Sequence, residues 1–301
     1  MLALPEMPKD TLKLADWLEL RAVLAGDRNS SAGDLDSALR TGSVYDRDDR
    51  AALERAITDV FDELRFRSVA AGRGYPFELT GTKLQLTAKG SKRTAYLFCL
   101  CVSYLSVLAP KRAKIHPTRV FEELCTEVAR RFVGGDAVRF GSPRHKAALP
   151  ADFAKALDEV CQLHLREGDG FAEQPAAAFK DVKDFGLDIV AWRDHPDRLP
   201  GKLVFLGACA AGHDWNGKLT ELNPSAFCAQ WMKRSPLVAP LKGFFVPHRV
   251  RRDAWEKTSR LAGLVFDRCR IAALVPTLPA NTAHGDAERW MTERFQAARV
   301  A

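Results

Sequence analysis

The sharpest constraint in this chain is one acidic residue inside an apolar, β-branched run, Asp188 in the segment GLDIVAW (186–192). An ionised carboxylate in a buried strand is costly unless it is paired or bound to a metal. A matching apolar run, LVFL (203–206), follows a polar connection that carries Asp194, Pro196, Asp197 and Pro200. Two short β-type runs joined in this way predict a hairpin. The second run leads into LGACAAGHDW (206–215) and then a basic helical start. The stretch from Lys183 to Leu222 therefore reads as the piece around which the chain is organised.

A strand-borne Asp, a hairpin, and a second strand ending in a short polar motif form the layout of the PD-(D/E)xK nucleases. The stretch resembles that superfamily, and more closely a bacterial group reading GLDxVAW … LGQCAxGxxW. The resemblance implies that Asp188 is a metal ligand, that position 208 normally holds a Gln or Glu ligand, and that a lysine stands near the scissile phosphate. It also implies that FEEL (121–124), in the helix opening at Pro117, brings Glu122 back toward the metal, although two adjacent helix acids are equally read as solvated.

The chain departs from this pattern at its centre. Ala208 has no ligating oxygen and Ala210 no amine, whereas Lys218 is placed to return an amine from the next turn. The site is thus read as degenerate, relocated or engineered inactive, and the sequence does not choose among these. A Cys/His hydrolase built on Cys209 and His213 has only Asp214 as a nearby acid and no oxyanion-donor motif.

A chain of 301 residues can bury a full core and hold one large or two modest domains. With 47% hydrophobic and 28% charged residues it has a globular composition, and its net charge of +7 favours a polyanionic partner. The seven cysteines are scattered, mostly in apolar runs, without zinc-site spacing, which is the pattern of buried thiols in a reducing, cytoplasmic compartment. Acids appear by residue 10 with no apolar leader, so no signal peptide is expected. The longest apolar run, Tyr96 to Pro110, is too short to cross a bilayer.

Along the N-terminal part, helical periodicity marks 11–25, a helix holding Leu35 and Leu39 capped by Ser30, Ser31 or Asp34, the segment 46–66, and a buried helix over 94–109. Residues 26–34 read as a loop and 72–88 as a small hairpin around Thr80–Gly81. Residues 1–114 are therefore expected to form a mainly helical docking or recognition module.

From residue 115 the expected order is a helix ended by Gly134–Gly135, a basic connection over 136–150, a helix over 150–166, the hairpin, a helix within 222–236, a strand at 243–250, a helix over 252–264, a strand at 270–275 and a closing helix over 283–299. Glu167 and Asp169 are further acids with a weak claim on metal, and His164 reads as a helix-surface histidine. This order is an α/β arrangement, and the resemblance implies a restriction-endonuclease-like mixed sheet flanked by helices over 115–301.

The chemistry implied is phosphodiester hydrolysis with Mg²⁺ or Mn²⁺ held by Asp188, Glu122 and the main-chain carbonyl of Cys209, with Lys218 near the attacking water. Phosphate contacts are expected from Arg139, Arg144 and Lys146 and from Arg249, Arg251 and Arg252. The resemblance further implies a metal-dependent DNA endonuclease acting in bacterial defence against phages and plasmids beside a sensing protein partner, with RNA as a substrate and homo-oligomerisation left open. The competing reading is a catalytically inactive nuclease-like scaffold or DNA-binding subunit, which Ala208 and Ala210 favour.

Overall fold

The computed structural model describes residues 2–46, 49–87, 94–105, 115–144, 149–173, 185–279 and 282–300. The chain divides into two compact units. One comprises residues 1–117, 247–251 and 268–301, the other residues 118–246 and 252–267. The sequence reading runs the second unit on to the C-terminus, whereas the structure returns the chain to the first unit twice.

In the first unit, α1 (Thr11–Leu24) is capped by Asp10, whose carboxylate accepts the Lys13 N–H at 3.0 Å. Its inward face carries Leu14, Trp17, Leu18 and Leu20, and with them Asp16 and Glu19. Residues Asn29–Ser31, expected as loop, form β1, a polar strand whose existence rests on backbone pairing rather than on its own side chains. Helix α2 (Ala32–Thr41) opens on a capping box between Ser31 and Asp34. Helix α3 (Arg50–Ala71) starts at the Asp49 cap. The hairpin β2 (Phe77–Thr80) and β3 (Lys83–Leu86) turns at Gly81, whose φ of +59° suits glycine in so short a loop. Strand β1 adds to β3, giving an antiparallel order β1-β3-β2. Helix α4 (Ala95–Leu105) is buried from Ala95 to Ser103, while the predicted continuation over 106–109 lies outside the described residues.

The second unit is a mixed α/β arrangement. Helix α5 (Pro117–Val133) turns Val120, Phe121, Leu124, Cys125 and Val128 inward. Then come β4 (Asp136–Arg139), α6 (Phe153–Glu159) with a π-helical last turn Val160–Leu165, β5 (Ile189–Arg193), β6 (Leu203–Cys209), α7 (Pro224–Trp231), β7 (Leu241–Phe245), α8 (Trp255–Ala262) and β8 (Leu264–Phe266). The five strands lie in the order β4-β5-β6-β7-β8. Strand β5 is antiparallel to both β4 and β6, whereas β6, β7 and β8 run parallel through the helical crossovers α7 and α8.

Two of these strands replace other expectations. Strand β4 lies in the predicted basic connection, too short to show a period, and exists by pairing with β5. Strand β8 lies at the predicted end of a helix, because the chain leaves α8 at Gly263 with φ +77°. The sheet packs around Phe205: a Cβ on Gly243 would lie 1.9 Å from its Cζ, and Phe245 and Phe266 stack with centroids 4.7 Å apart.

Back in the first unit, the expected strand 270–275 is not formed: residues 270–274 belong to helix α9 (Arg268–Leu274), followed by α10 (Thr282–Val300). A short apolar run such as RIAALV has no decisive period, and packing arbitrates. The turn at Gly74 fits so closely against α9 that a Cβ there would lie 2.1 Å from the Ala272 carbonyl oxygen.

All seven cysteines are free thiols, six buried and Cys209 half-buried. Among the described residues no helix is long and apolar enough to cross a membrane.

Candidate functional site

Strand β4 ends in a bulge that shapes the site. The Phe140 and Gly141 N–H groups both donate to the Asp188 carbonyl oxygen, at 2.7 and 3.1 Å. Two residues opposing one bend the strand and re-aim the chain beyond it. Asp188 itself stands one residue before β5, with its N–H donating to the Gly207 oxygen at 2.9 Å. Its Oδ2 accepts the Cys209 N–H at 2.6 Å. The end of β6 therefore offers Asp188 the Cys209 amide.

Glu122, near the N-terminal end of α5, meets Asp188 beside Gly141. A Cβ at Gly141 would sit 2.8 Å from Asp188 Oδ1 and 3.0 Å from Glu122 Oε2, so both carboxylates converge on one point that only glycine leaves clear. Arg139 closes the group. Its Nη1 donates to Glu122 Oε2 at 2.6 Å and to the Gly141 carbonyl at 2.9 Å, and its Nη2 donates to the Pro143 carbonyl. The Cys125 and Cys209 thiols are neighbours of these two carboxylates. Burial pushes both thiols up, Cys209 far up, and the neighbouring carboxylates add to this. A thiol held up in this way is the reverse of an activated nucleophile, which does not favour the Cys209–His213 hydrolase reading.

Ala208 is buried and pairs with Phe244 of β7. It stands one step past the last β5–β6 pair, Ile189–Gly207, beside Asp188 in line. Ala210 is buried as well, and its N–H donates to the Phe245 oxygen at 2.9 Å. Lys218 ends a 3-10 turn (Trp215–Lys218), half-buried, and its ammonium makes no ion pair among the described residues. Among the described residues no group of three or more His, Cys, Asp and Glu side chains is arranged to hold a metal ion. The centre is a pair of carboxylates.

The other expected residues divide by burial. Arg139 belongs to the site. Arg144 is buried, its guanidinium 4.4 Å from the Phe140 ring centroid and bonded to the Ala151 carbonyl at 3.1 Å. Arg249 is buried against Glu63 at 3.2 Å. These three expected phosphate contacts are instead internal partners of carboxylates, carbonyls and rings. Arg251 and Arg252 are exposed, and Lys146 lies outside the described residues. Glu167 is a structural clamp: its Oε1 accepts the Gly201 and Lys202 N–H groups at 2.7 and 3.2 Å, and Oε2 accepts that of Leu237 at 3.2 Å. Asp169 pairs with Arg234 at the surface. His164 lies half-buried against Trp192, with ring centroids 5.4 Å apart.

Sequence reasoning missed the roles of Arg139 and Gly141, and also a buried ionic cluster in the first unit. Arg67 donates to Asp16 at 2.7 Å, to Glu19 at 2.8 Å and to Glu63 at 2.8 Å. Tyr75 and Tyr96 donate their hydroxyls to Glu19 at 2.9 and 2.8 Å. The signal was present in α1, where Asp16 and Glu19 interrupt an apolar face at helical spacing.

Comparison of the chain with family models, curated proteins and solved structures finds no match.

Proposed function

We propose that the second unit is a PD-(D/E)xK-type nuclease domain with a restriction-endonuclease-like fold, hydrolysing DNA phosphodiesters with Mg²⁺ or Mn²⁺ at a site weakened by Ala208. The observation that carries this reading is the convergence of Glu122 and Asp188 on the space beside Gly141. The mixed sheet supports it: after the opening helix α5 come the antiparallel strands β4, β5 and β6, with α6 inserted between the first two, then α7 with the parallel strand β7, to which α8 and β8 are added. The role of effector in bacterial defence beside a sensing protein partner rests on the motif alone.

Two carboxylates suit a hard divalent cation, which takes oxygen ligands and few of them from protein. Asp188 and Glu122 would hold it, and when bound it polarises a phosphoryl oxygen and acidifies a water. The Cys209 amide orients Asp188 by occupying one lone pair of Oδ2. Gly141 keeps the space between the carboxylates clear. Lys218, whose ammonium makes no ion pair among the described residues, is the lysine this reading assigns to charge developing on phosphate.

The second reading, an inactive scaffold or DNA-binding subunit, is favoured by Ala208 and by the cation already placed on Glu122, that of Arg139. Plasmid and RNA cleavage with Mg²⁺ and Mn²⁺ separates the two. The wild-type chain, Ala208→Gln, and Ala208→Gln with Asp188→Asn are compared, with Mn²⁺ binding followed by calorimetry. Cutting by the Gln variant that Asp188→Asn abolishes supports the nuclease. No cutting and no Mn²⁺ uptake in any variant leaves the scaffold.

A further inference from the structure

We propose that Arg139 is a built-in counter-ion of the Glu122–Asp188 pair, competing with a divalent cation for the same carboxylate oxygen; this rests on the two-carboxylate reading of the site. The atom Arg139 holds is Glu122 Oε2, and the Glu122 oxygen converging with Asp188 Oδ1 on the space beside Gly141 is also Oε2. A cation held by both carboxylates would call on that oxygen. With the guanidinium 2.6 Å away, such a cation meets a like charge in a poorly hydrated place.

Burial gives the competition force. The Arg139 and Glu122 side chains are 9% and 18% exposed, so their interaction is screened far less than a surface pair. Two carboxylates facing one point repel each other, and the Arg139 charge offsets that repulsion in the resting protein. The guanidinium is pre-positioned by acceptors besides Glu122: Nη1 also reaches the Gly141 carbonyl, and Nη2 the Pro143 carbonyl. Its planar fork therefore stays in register, and a bound cation must either displace it from Oε2 or share that oxygen with it.

The backbone places Arg139 for this task. It is the last residue of β4, paired with Ile189, the residue after Asp188. The bulge formed by Phe140 and Gly141 comes next and turns the chain around the carboxylates. Guanidinium, glycine and strand Asp are thus fixed by one local piece of backbone, and α5 adds the Glu.

Calorimetric titration of Mn²⁺ into the wild-type chain, Arg139→Met and Arg139→Lys tests the proposal, with circular dichroism reporting the fold. Removing the charge in Arg139→Met is expected to tighten Mn²⁺ binding about tenfold or more, the scale of one charge-assisted hydrogen bond. Arg139→Lys, which keeps the charge, is expected to stay closer to wild type. If the Met variant does not fold, Arg139→Gln, which keeps a donor for the two carbonyls, carries the same expectation. A folded variant lacking the charge that binds no tighter than a Mn²⁺-binding wild type overturns the counter-ion. Absence of binding in every variant overturns both the counter-ion and the cation reading beneath it.

Discussion

Arg268 holds both carboxylate oxygens of Asp16, at 2.9 and 3.1 Å, across 252 positions of sequence. Its third arm reaches the Pro247 carbonyl at 3.0 Å, and its Nη2 also meets the Ser103 hydroxyl at 2.7 Å. One guanidinium therefore ties together the N-terminal helix, α4 and both returning segments of the first unit. Removing one partner of such a cluster leaves a charge buried and uncompensated, which costs about 3–5 kcal/mol. Arg268→Met and Asp16→Asn should each lower stability by that order in urea unfolding. A loss near zero would mean that water reaches the cluster.

The same cluster sets an acid limit. Burial alone would raise the Asp16 carboxyl, but Arg268 and then Arg67 hold it far below the usual range. Burial likewise acts upward on Glu63, and Arg67 and Arg249 outweigh it. Groups with folded pKa values below their unfolded ones stabilise fully above the unfolded value, about 4 for a carboxylate, and lose that stability as pH falls toward the folded value. Glu19, held up by burial, does not share the trend. The difference in melting temperature between wild type and Glu63→Gln should be largest near neutrality and shrink below about pH 4.

The second unit depends on Gly243. A methyl group there would overlap the Phe205 ring, which is itself packed on Phe245 and Phe266. Gly243→Ala should destabilise by about 1–3 kcal/mol or more. Gly217→Ala, whose Cβ meets nothing within 4 Å, should be close to neutral in the same melt.

If the chain binds DNA, burial predicts which arginines contribute. Arg251 and Arg252 are exposed, and substituting either with Ala should weaken binding evenly across sequences and reduce the salt slope by about 1. Arg144, stacked on Phe140, should cost stability without changing that slope. Fluorescence anisotropy at several salt concentrations measures both.

Ala208→Gln places a carbonyl oxygen on β6 beside Asp188, and on the nuclease reading it should raise cleavage on the order of a hundredfold. Plasmid nicking with Mn²⁺ reads this, and an unchanged rate counts against an attenuated nuclease.

Much of this architecture is written locally. The helices with a clear apolar period appear where the pattern puts them, as do β5 and β6 flanking their polar connection. Asp188 stands out because a carboxylate in an apolar run needs a partner, and its Oδ2 finds one in the Cys209 amide. Strands β1, β4 and β8, of three or four residues, carry no local signal and exist only by pairing, whereas β2 and β3, equally short, are marked by their alternation on either side of the turn at Gly81. Helix α9 reads as a strand for a related reason, because a short apolar run fits either state until a neighbour packs on it.

The sequence by itself determined that this chain builds helices around a hairpin with an acid at its root, since helical and strand periods are properties of neighbouring residues. Only the tertiary structure decided which charges meet. Arg139, read as a phosphate contact, is the partner of Glu122; Arg249 is the partner of Glu63; and Arg268 is the partner of Asp16. Charge has no periodicity along a chain, and a guanidinium finds its carboxylate through space, after the backbone has brought distant segments together.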